Sequence, residues 1–166
     1  MARLLRAQEE YRVTGEFGIV LRGSAEFITR TEKALALLRG SAVFEEVRPF
    51  LAVIQQAKWS GVSAYRCKPM FFVGKPTWQA DSLWYASGIV HEAYHMKLYH
   101  ENRNKSGFLC FRYTEPTAWA GKQAEQKCCE FQLRFLREAG ADVGILEYVE
   151  RLARNPWHMD VKDRNW

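Results

Sequence analysis

The 166-residue chain lacks any C-x-x-C pair, and its four cysteines (Cys67, Cys110, Cys128 and Cys129) follow no regular spacing. Adjacent residues such as Cys128 and Cys129 seldom satisfy disulfide geometry. All four are expected to be reduced, mostly buried thiols of a cytoplasmic protein, with a Cys67–Cys110 bridge left open. There is no long Lys/Arg run: the net charge of +5 comes from scattered basic residues. That pattern fits a solvated, slightly basic surface better than a nucleic-acid site. Residues 1–12 hold no apolar core of a secretory signal. The longest apolar-rich stretch, Leu83 to Val90, is far short of the roughly 20 residues a membrane span needs. No repeat, low-complexity tract or linker divides the chain, so a single soluble domain over 1–166 is expected.

Hydrophobic residues make up 48% of the chain and charged residues 26%, a balance that suits a globular fold and excludes a disordered tail protein. The aromatic share of 14% points to a core or groove built with Phe, Tyr and Trp.

Periodicity and punctuation predict an α+β order. Residues 2–12 read as a short amphipathic helix, and Phe17 to Leu21 as a strand ending at Arg22-Gly23. Ser24 should cap a helix carrying Phe27, Ile28, Thr31, Ala34, Leu35 and Leu38, stopped by Gly40. Ser41 opens a further helical stretch, Val43 to Ile54, kinked or split at Pro49. Val62 to Arg66 and Met70 to Val73 read as two strands joined near Lys68-Pro69. A long helix follows over about 81–100 with Asp81 as its N-cap. After a loop at 101–107 and a strand or lid at 108–113, a second long helix spans about 117–139 between Pro116 and Gly140. A last helix covers 143–153, and 155–166 is a tail.

Residues 91–95 spell His-Glu-Ala-Tyr-His, an H-E-x-x-H pattern. Histidines four apart sit about 40° from one another on a helix, so their imidazoles can meet at one metal ion. Glu92, about 100° round from His91, can reach a water on that metal without being a ligand. It would take the water's proton during attack on a carbonyl and pass it to the leaving amine. The surrounding Trp84, Tyr85, Ile89, Val90, Ala93, Tyr94, Met96 and Leu98 make this helix apolar nearly all round. A buried carboxylate between two histidines needs compensation, which zinc would provide. The plainer alternative is a pair of hydrogen-bonded core histidines with a salt-bridged Glu92.

A catalytic zinc usually has three protein ligands and one water. The extended form H-E-x-x-H-x-x-G-x-x-H is absent, because Leu98 replaces its glycine and Glu101 its last histidine. The third ligand is therefore sought on the second long helix. There Ala120, Ala124, Cys128, Phe131 and Phe135 form the apolar stripe. Glu125 flanks it beside Ala118, Cys129, Gln132 and Leu136, whereas Glu130 stands among Gln123, Lys127, Arg134 and Arg137 as a solvated charge. Glu125 is the ligand candidate, its alternative being an ordinary boundary acid.

With these residues the sequence resembles the gluzincin class of HExxH zinc metallopeptidases, in the compact intracellular ImmA/IrrE-like or minigluzincin-like form. Trp84 to Val90 looks like the entry to that class's active-site helix, and Glu125 to Phe131 resembles its E-x-x-A-x-x-F pattern, with Cys128 in place of alanine. The likeness is specific over 84–100, looser over 117–136 and weak before 60. Over 41–95 the chain is also vaguely similar to small effector metallopeptidases of the NleD type. The gluzincin resemblance implies a zincin-like α+β fold with a small sheet, backing helices, an active-site helix and a glutamate helix. It implies a Zn2+ cofactor held by His91, His95 and Glu125, with Glu92 as general base. In such folds an edge strand pairs with an extended peptide, and either Val62–Arg66 or Met70–Val73 could serve. For the oxyanion, Tyr99, His100, Arg112 and Tyr113 come into question. Tyr113 is the candidate, His100 reads as a surface histidine, and His158 as incidental.

The leading functional expectation is a zinc-dependent peptidase acting on a peptide or protein substrate. The alternative is a zinc-binding regulatory or interaction module on the same scaffold with little proteolysis. A regulatory protein partner fits either one. A nucleic-acid-associated role rests on the basic balance alone.

Overall fold

The computed structural model describes residues 10–14, 17–64, 67–103 and 114–155. Along the chain they form strands β1 (Glu10–Val13) and β2 (Val20–Gly23), helices α1 (Ala25–Leu37) and α2 (Ala42–Val47), and a 3-10 turn at Arg48–Phe50. Strands β3 (Val53–Gln56), β4 (Gly61–Ser63) and β5 (Met70–Val73) follow. Helices α3 (Lys75–Trp78), α4 (Ser82–Glu101), α5 (Pro116–Ala120), α6 (Lys122–Glu138) and α7 (Val143–Arg154) complete the order. This is an α+β arrangement around one mixed five-stranded sheet of order β1-β2-β3-β5-β4.

The central three strands run parallel, and β1 and β4 are added antiparallel at the two sides. Register sets Leu21, Ile54 and Phe71 side by side on one face, with Val62 next in line. That face belongs to the main core together with Phe27 and Ile28 of α1, Phe44 and Val47 of α2, and Tyr85, Ile89 and Met96 of α4. The strand alternation and the helical stripe thus bury one shared apolar layer. Tyr85 and Thr31 place their hydroxyls 2.9 Å apart inside it, so the buried phenol is not left without a partner.

Caps read from the sequence are present. Ser24 accepts from the Phe27 amide, Ser41 from Phe44, and Asp81 from Leu83 and Trp84. Gly140 follows α6 with φ +70°, the left-handed turn that a side chain would resist.

Four expectations need correction. Residues 10–12 of the expected first helix fall instead in β1, because β2 offers them an antiparallel ladder; residues 1–9 lie outside the described set. The helix expected to reach Ile54 ends at the 3-10 turn around Pro49, and Val53–Gln56 becomes the central strand β3 between β2 and β5. The helix expected over 117–139 is two helices. Gly121 adopts an extended backbone, and a Cβ there would lie 2.9 Å from the Thr117 carbonyl oxygen. Ala120 is consequently exposed on α5 rather than part of the buried stripe. Finally, β5 lies between β3 and β4, so of the two candidate edge strands only β4 is at a margin of the sheet. It ends at Ser63, short of the expected Arg66.

No helix among the described residues is long and apolar enough to cross a membrane. Cys67, Cys128 and Cys129 are free thiols, the last two buried.

Candidate metal centre

Helix α4 carries His91, Glu92 and His95, and it is buried on nearly all sides, as its composition predicts. It packs chiefly against α6. Two contacts fix the pair of helices against sliding. Tyr94 stacks on Phe131 with ring centroids 4.3 Å apart. Glu46 of α2 pairs with Lys97 of α4 and, at 3.6 Å, with Arg134 of α6.

This packing brings Glu125, near the start of α6, to the two histidines. His91 Nε2 and His95 Nε2 are 3.2 Å apart, and Glu125 Oε2 lies 3.4 Å from the first and 3.5 Å from the second. Glu125 is 14% exposed, whereas Glu130 is on the solvent side and accepts a hydrogen bond from Gln126 at 3.1 Å. The facing deduced from the helical pattern holds.

The outer nitrogens determine the tautomers. His95 Nδ1 is 2.6 Å from the Trp119 carbonyl, which only accepts, so Nδ1 carries the hydrogen. Ser87 Oγ donates to the Trp84 carbonyl at 2.8 Å and accepts from Gln132 Nε2 at 2.9 Å. That turns Gln132 Oε1 toward His91 Nδ1 at 3.1 Å, where it accepts the Nδ1 hydrogen. In their neutral forms both histidines therefore aim bare Nε2 lone pairs at each other and at a carboxylate oxygen.

Three electron-rich atoms facing one another repel unless a cation lies among them. Glu125 Oε2 is buried and has no hydrogen-bond partner, which marks the same deficit. A tetrahedral ion with ligand bonds of about 2.0–2.2 Å holds its donors about 3.3–3.6 Å apart. The observed triangle of 3.2, 3.4 and 3.5 Å fits that face closely. Without a metal, protons take the place of the cation. Burial lowers the His91 pKa, but hydrogen bonds with Cys129 and Glu125 outweigh it and raise it to about 9. For His95, too, burial opposes charge, yet Cys128, Glu125 and Glu92 raise it well above the usual value. Burial works against the Glu125 carboxylate, and the two histidines hold it far below the usual range all the same.

Glu92 is 4% exposed. Burial raises its pKa, and the neighbouring Glu125 charge adds to this while His95 and His91 oppose it. It stands beside the triangle as a base-strengthened carboxylate rather than as one of its corners.

Sequence reasoning did not single out Cys128 as a donor. Cys128 Sγ belongs to a fully buried group with His91 and His95 whose ligand atoms all lie within 4.8 Å of one another, a set that could hold a metal ion. Nor did it identify Gln132, Ser87 and the Trp119 carbonyl. Gln132 was visible only as a polar residue on the Glu125 flank, just past the end of the Glu125–Phe131 pattern. His100, expected at the surface, is half-buried against Phe50 and Tyr99, and burial with Arg103 lowers its pKa. Tyr99 is buried against Trp119. The oxyanion candidate Tyr113, with Arg112, Cys110 and His158, lies outside the described residues.

Comparison with protein-family models, with curated proteins and with solved structures found no match.

Proposed function

We propose that the chain is a zinc-dependent metallopeptidase in which His91, His95 and Glu125 hold the metal and Glu92 is the general base. The observation that carries this reading is the convergence of three lone-pair atoms at tetrahedral spacing, with both imidazole Nδ1 hydrogens committed elsewhere. When bound there, zinc would supply Lewis acidity and make a water nucleophilic near neutral pH.

The protein's own part is proton handling and placement. Glu92 accepts a proton from the attacking water as its oxygen bonds to the substrate carbonyl carbon. The same carboxyl then delivers that proton to the amide nitrogen as the C–N bond breaks, giving one carboxylic acid and one amine. A carboxylate whose pKa is raised by burial suits both halves of the transfer. For the substrate, β4 is an edge strand that packs against α4, which makes it the strand along which an extended peptide would pair.

A second reading, a metal-binding module without proteolysis, is favoured by the proximity of Cys128, since structural zinc sites are closed by four protein donors. The two separate in one experiment. Protein purified without chelator should hold close to one zinc per chain, and Glu92→Gln should retain that zinc while abolishing cleavage of a peptide library. Absence of zinc sinks the proposal, and cleavage that survives Glu92→Gln removes Glu92 from the chemistry.

A further inference from the structure

Helix α6 presents two potential donors to the histidines, one helical turn apart. Glu125 and Cys128 are three residues from one another, so both lie on the α4-facing side of the helix. Cys128 is fully buried and packs with Leu98 of α4 and Ala124 of α6, at the seam between the two ligand helices. Its neighbour Cys129 turns instead toward α7, among Leu133, Leu136, Val149 and Leu152. Cys129 touches the His91 ring, yet it is Cys128 whose sulfur joins the mutual 4.8 Å set with His91 and His95.

A thiolate bound to zinc at about 2.3 Å would sit roughly 3.6 Å from the imidazole nitrogens. The sulfur, within 4.8 Å of a ligand nitrogen of each histidine, therefore has to close in on them, a movement of the kind a χ1 rotation provides. Together the two helices offer two nitrogens, a carboxylate 3.4 and 3.5 Å from them, and a sulfur within 4.8 Å of both histidines, four donors for one ion.

We infer that Cys128 is the fourth protein donor of this centre and closes the position that His91, His95 and Glu125 leave open. The inference rests on the reading that the centre holds a divalent metal, and it adds a regulation of that site. As the sulfur–metal bond forms, the S–H proton is released to solvent. In this state a substrate carbonyl has no access to the metal, and Cys128 must withdraw before the site can act. Cys128 thereby acts as an internal latch, and the small residue that the resembling family carries at this position would not.

Cobalt(II) tests this without reference to any substrate. Cobalt added to the metal-free full chain should give the visible bands of tetrahedral coordination together with a near-ultraviolet sulfur-to-cobalt charge-transfer band. Cys129→Ala removes a contact with His91 but should keep the charge-transfer band, because its sulfur is outside the mutual set. Cys128→Ala should lose the charge-transfer band and keep the visible bands, with cobalt still bound one per chain. Tetrahedral cobalt in the unmodified protein with no charge-transfer band overturns the inference and leaves the metal reading intact. Failure to bind cobalt at all overturns both. Should Cys128→Ala not fold, the unmodified protein's spectrum still decides whether a thiolate is bound. The Cys129→Ala, Cys67→Ala and Cys110→Ala spectra then identify it by elimination, and loss of the band in any of these three overturns the assignment to Cys128.

Discussion

Gln132 Oε1 lies 3.1 Å from His91 Nδ1, and the amide cannot be turned round, because its nitrogen donates at 2.9 Å to a serine hydroxyl already engaged as a donor. Two side chains and one carbonyl therefore fix which His91 nitrogen carries the hydrogen. Partners of this kind orient a metal-ligating histidine and raise its basicity.

Gln132→Leu should remove the acceptor while keeping much of the volume. Metal affinity is expected to fall about 10- to 100-fold, read by competition against a chromogenic chelator. Gln132→Glu, which keeps an acceptor oxygen facing His91, should retain most of the affinity. Equal losses in both variants would reduce Gln132 to a packing residue.

The two glutamates of α6 make a sharper pair. Glu125→Ala should lower zinc occupancy strongly, because the triangle loses a corner. Glu130→Ala should leave occupancy unchanged, since its exposed carboxylate accepts from Gln126 on the solvent side of α6. Metal analysis of the two purified variants checks this, and similar occupancy in both would remove Glu125 from the ligand set.

The contrast between these residues shows what the sequence can convey. The facing of Glu125 and Glu130 follows from helical geometry alone, and so do the His91–His95 pair and the Ser24, Ser41 and Asp81 caps. The helices α1, α4 and α7 are legible for the same reason, as each has a period or a cap that depends only on near neighbours. β1 and β3 are not legible. Four-residue strands carry little periodic signal, and their identity comes from ladders with β2 and β5 that are remote in the chain. Likewise Gln132 and the Trp119 carbonyl acquire their roles only when α5 and α6 dock on α4. Gly121 sits in plain view as a possible breaker, yet the close Thr117 carbonyl that requires it appears only with the fold.

Glu138, at the end of α6, reaches back to the start of α2. Its two oxygens accept from Ser41 Oγ at 3.2 Å and from the Ala42 amide at 3.1 Å. Glu138→Ala should cost about 1 kcal/mol, the usual net worth of such hydrogen bonds at a helix N-terminus. For a chain of this size that is a fall of about 3 °C in melting temperature. Differential scanning calorimetry measures it, with Glu130→Ala as the control expected to show no shift. Metal occupancy should not change, because Glu138 stands at the far end of α6 from Glu125 and its partners Ser41 and Ala42 are not among the ligands.

The same triangle that calls for a metal predicts how the metal-free protein responds to pH. His91 is raised from 6.5 to about 9, and His95 is raised well above 6.5, in each case against an opposing effect of burial. The folded state thus binds more protons than the unfolded one across this range. The stability that these histidines contribute is complete below about 6.5 and is lost as pH rises through about 9. Glu125, depressed from 4.5, works at the other end: its contribution is complete above about 4.5 and is lost as pH falls toward its folded value. Glu92, raised from 4.5 by burial, contributes stability that is complete below about 4.5 and is lost as pH rises through its folded value. Chelator-treated protein should therefore resist urea better at pH 6 than at pH 9. Zinc must displace the same protons to bind, so its stabilising effect should grow as pH rises. Urea titrations at both pH values, with and without zinc, give four midpoints. A metal-free midpoint that rises from pH 6 to pH 9 would mean that the histidines are not held protonated by Cys129, Cys128 and Glu125, and the geometry of the centre would need another explanation.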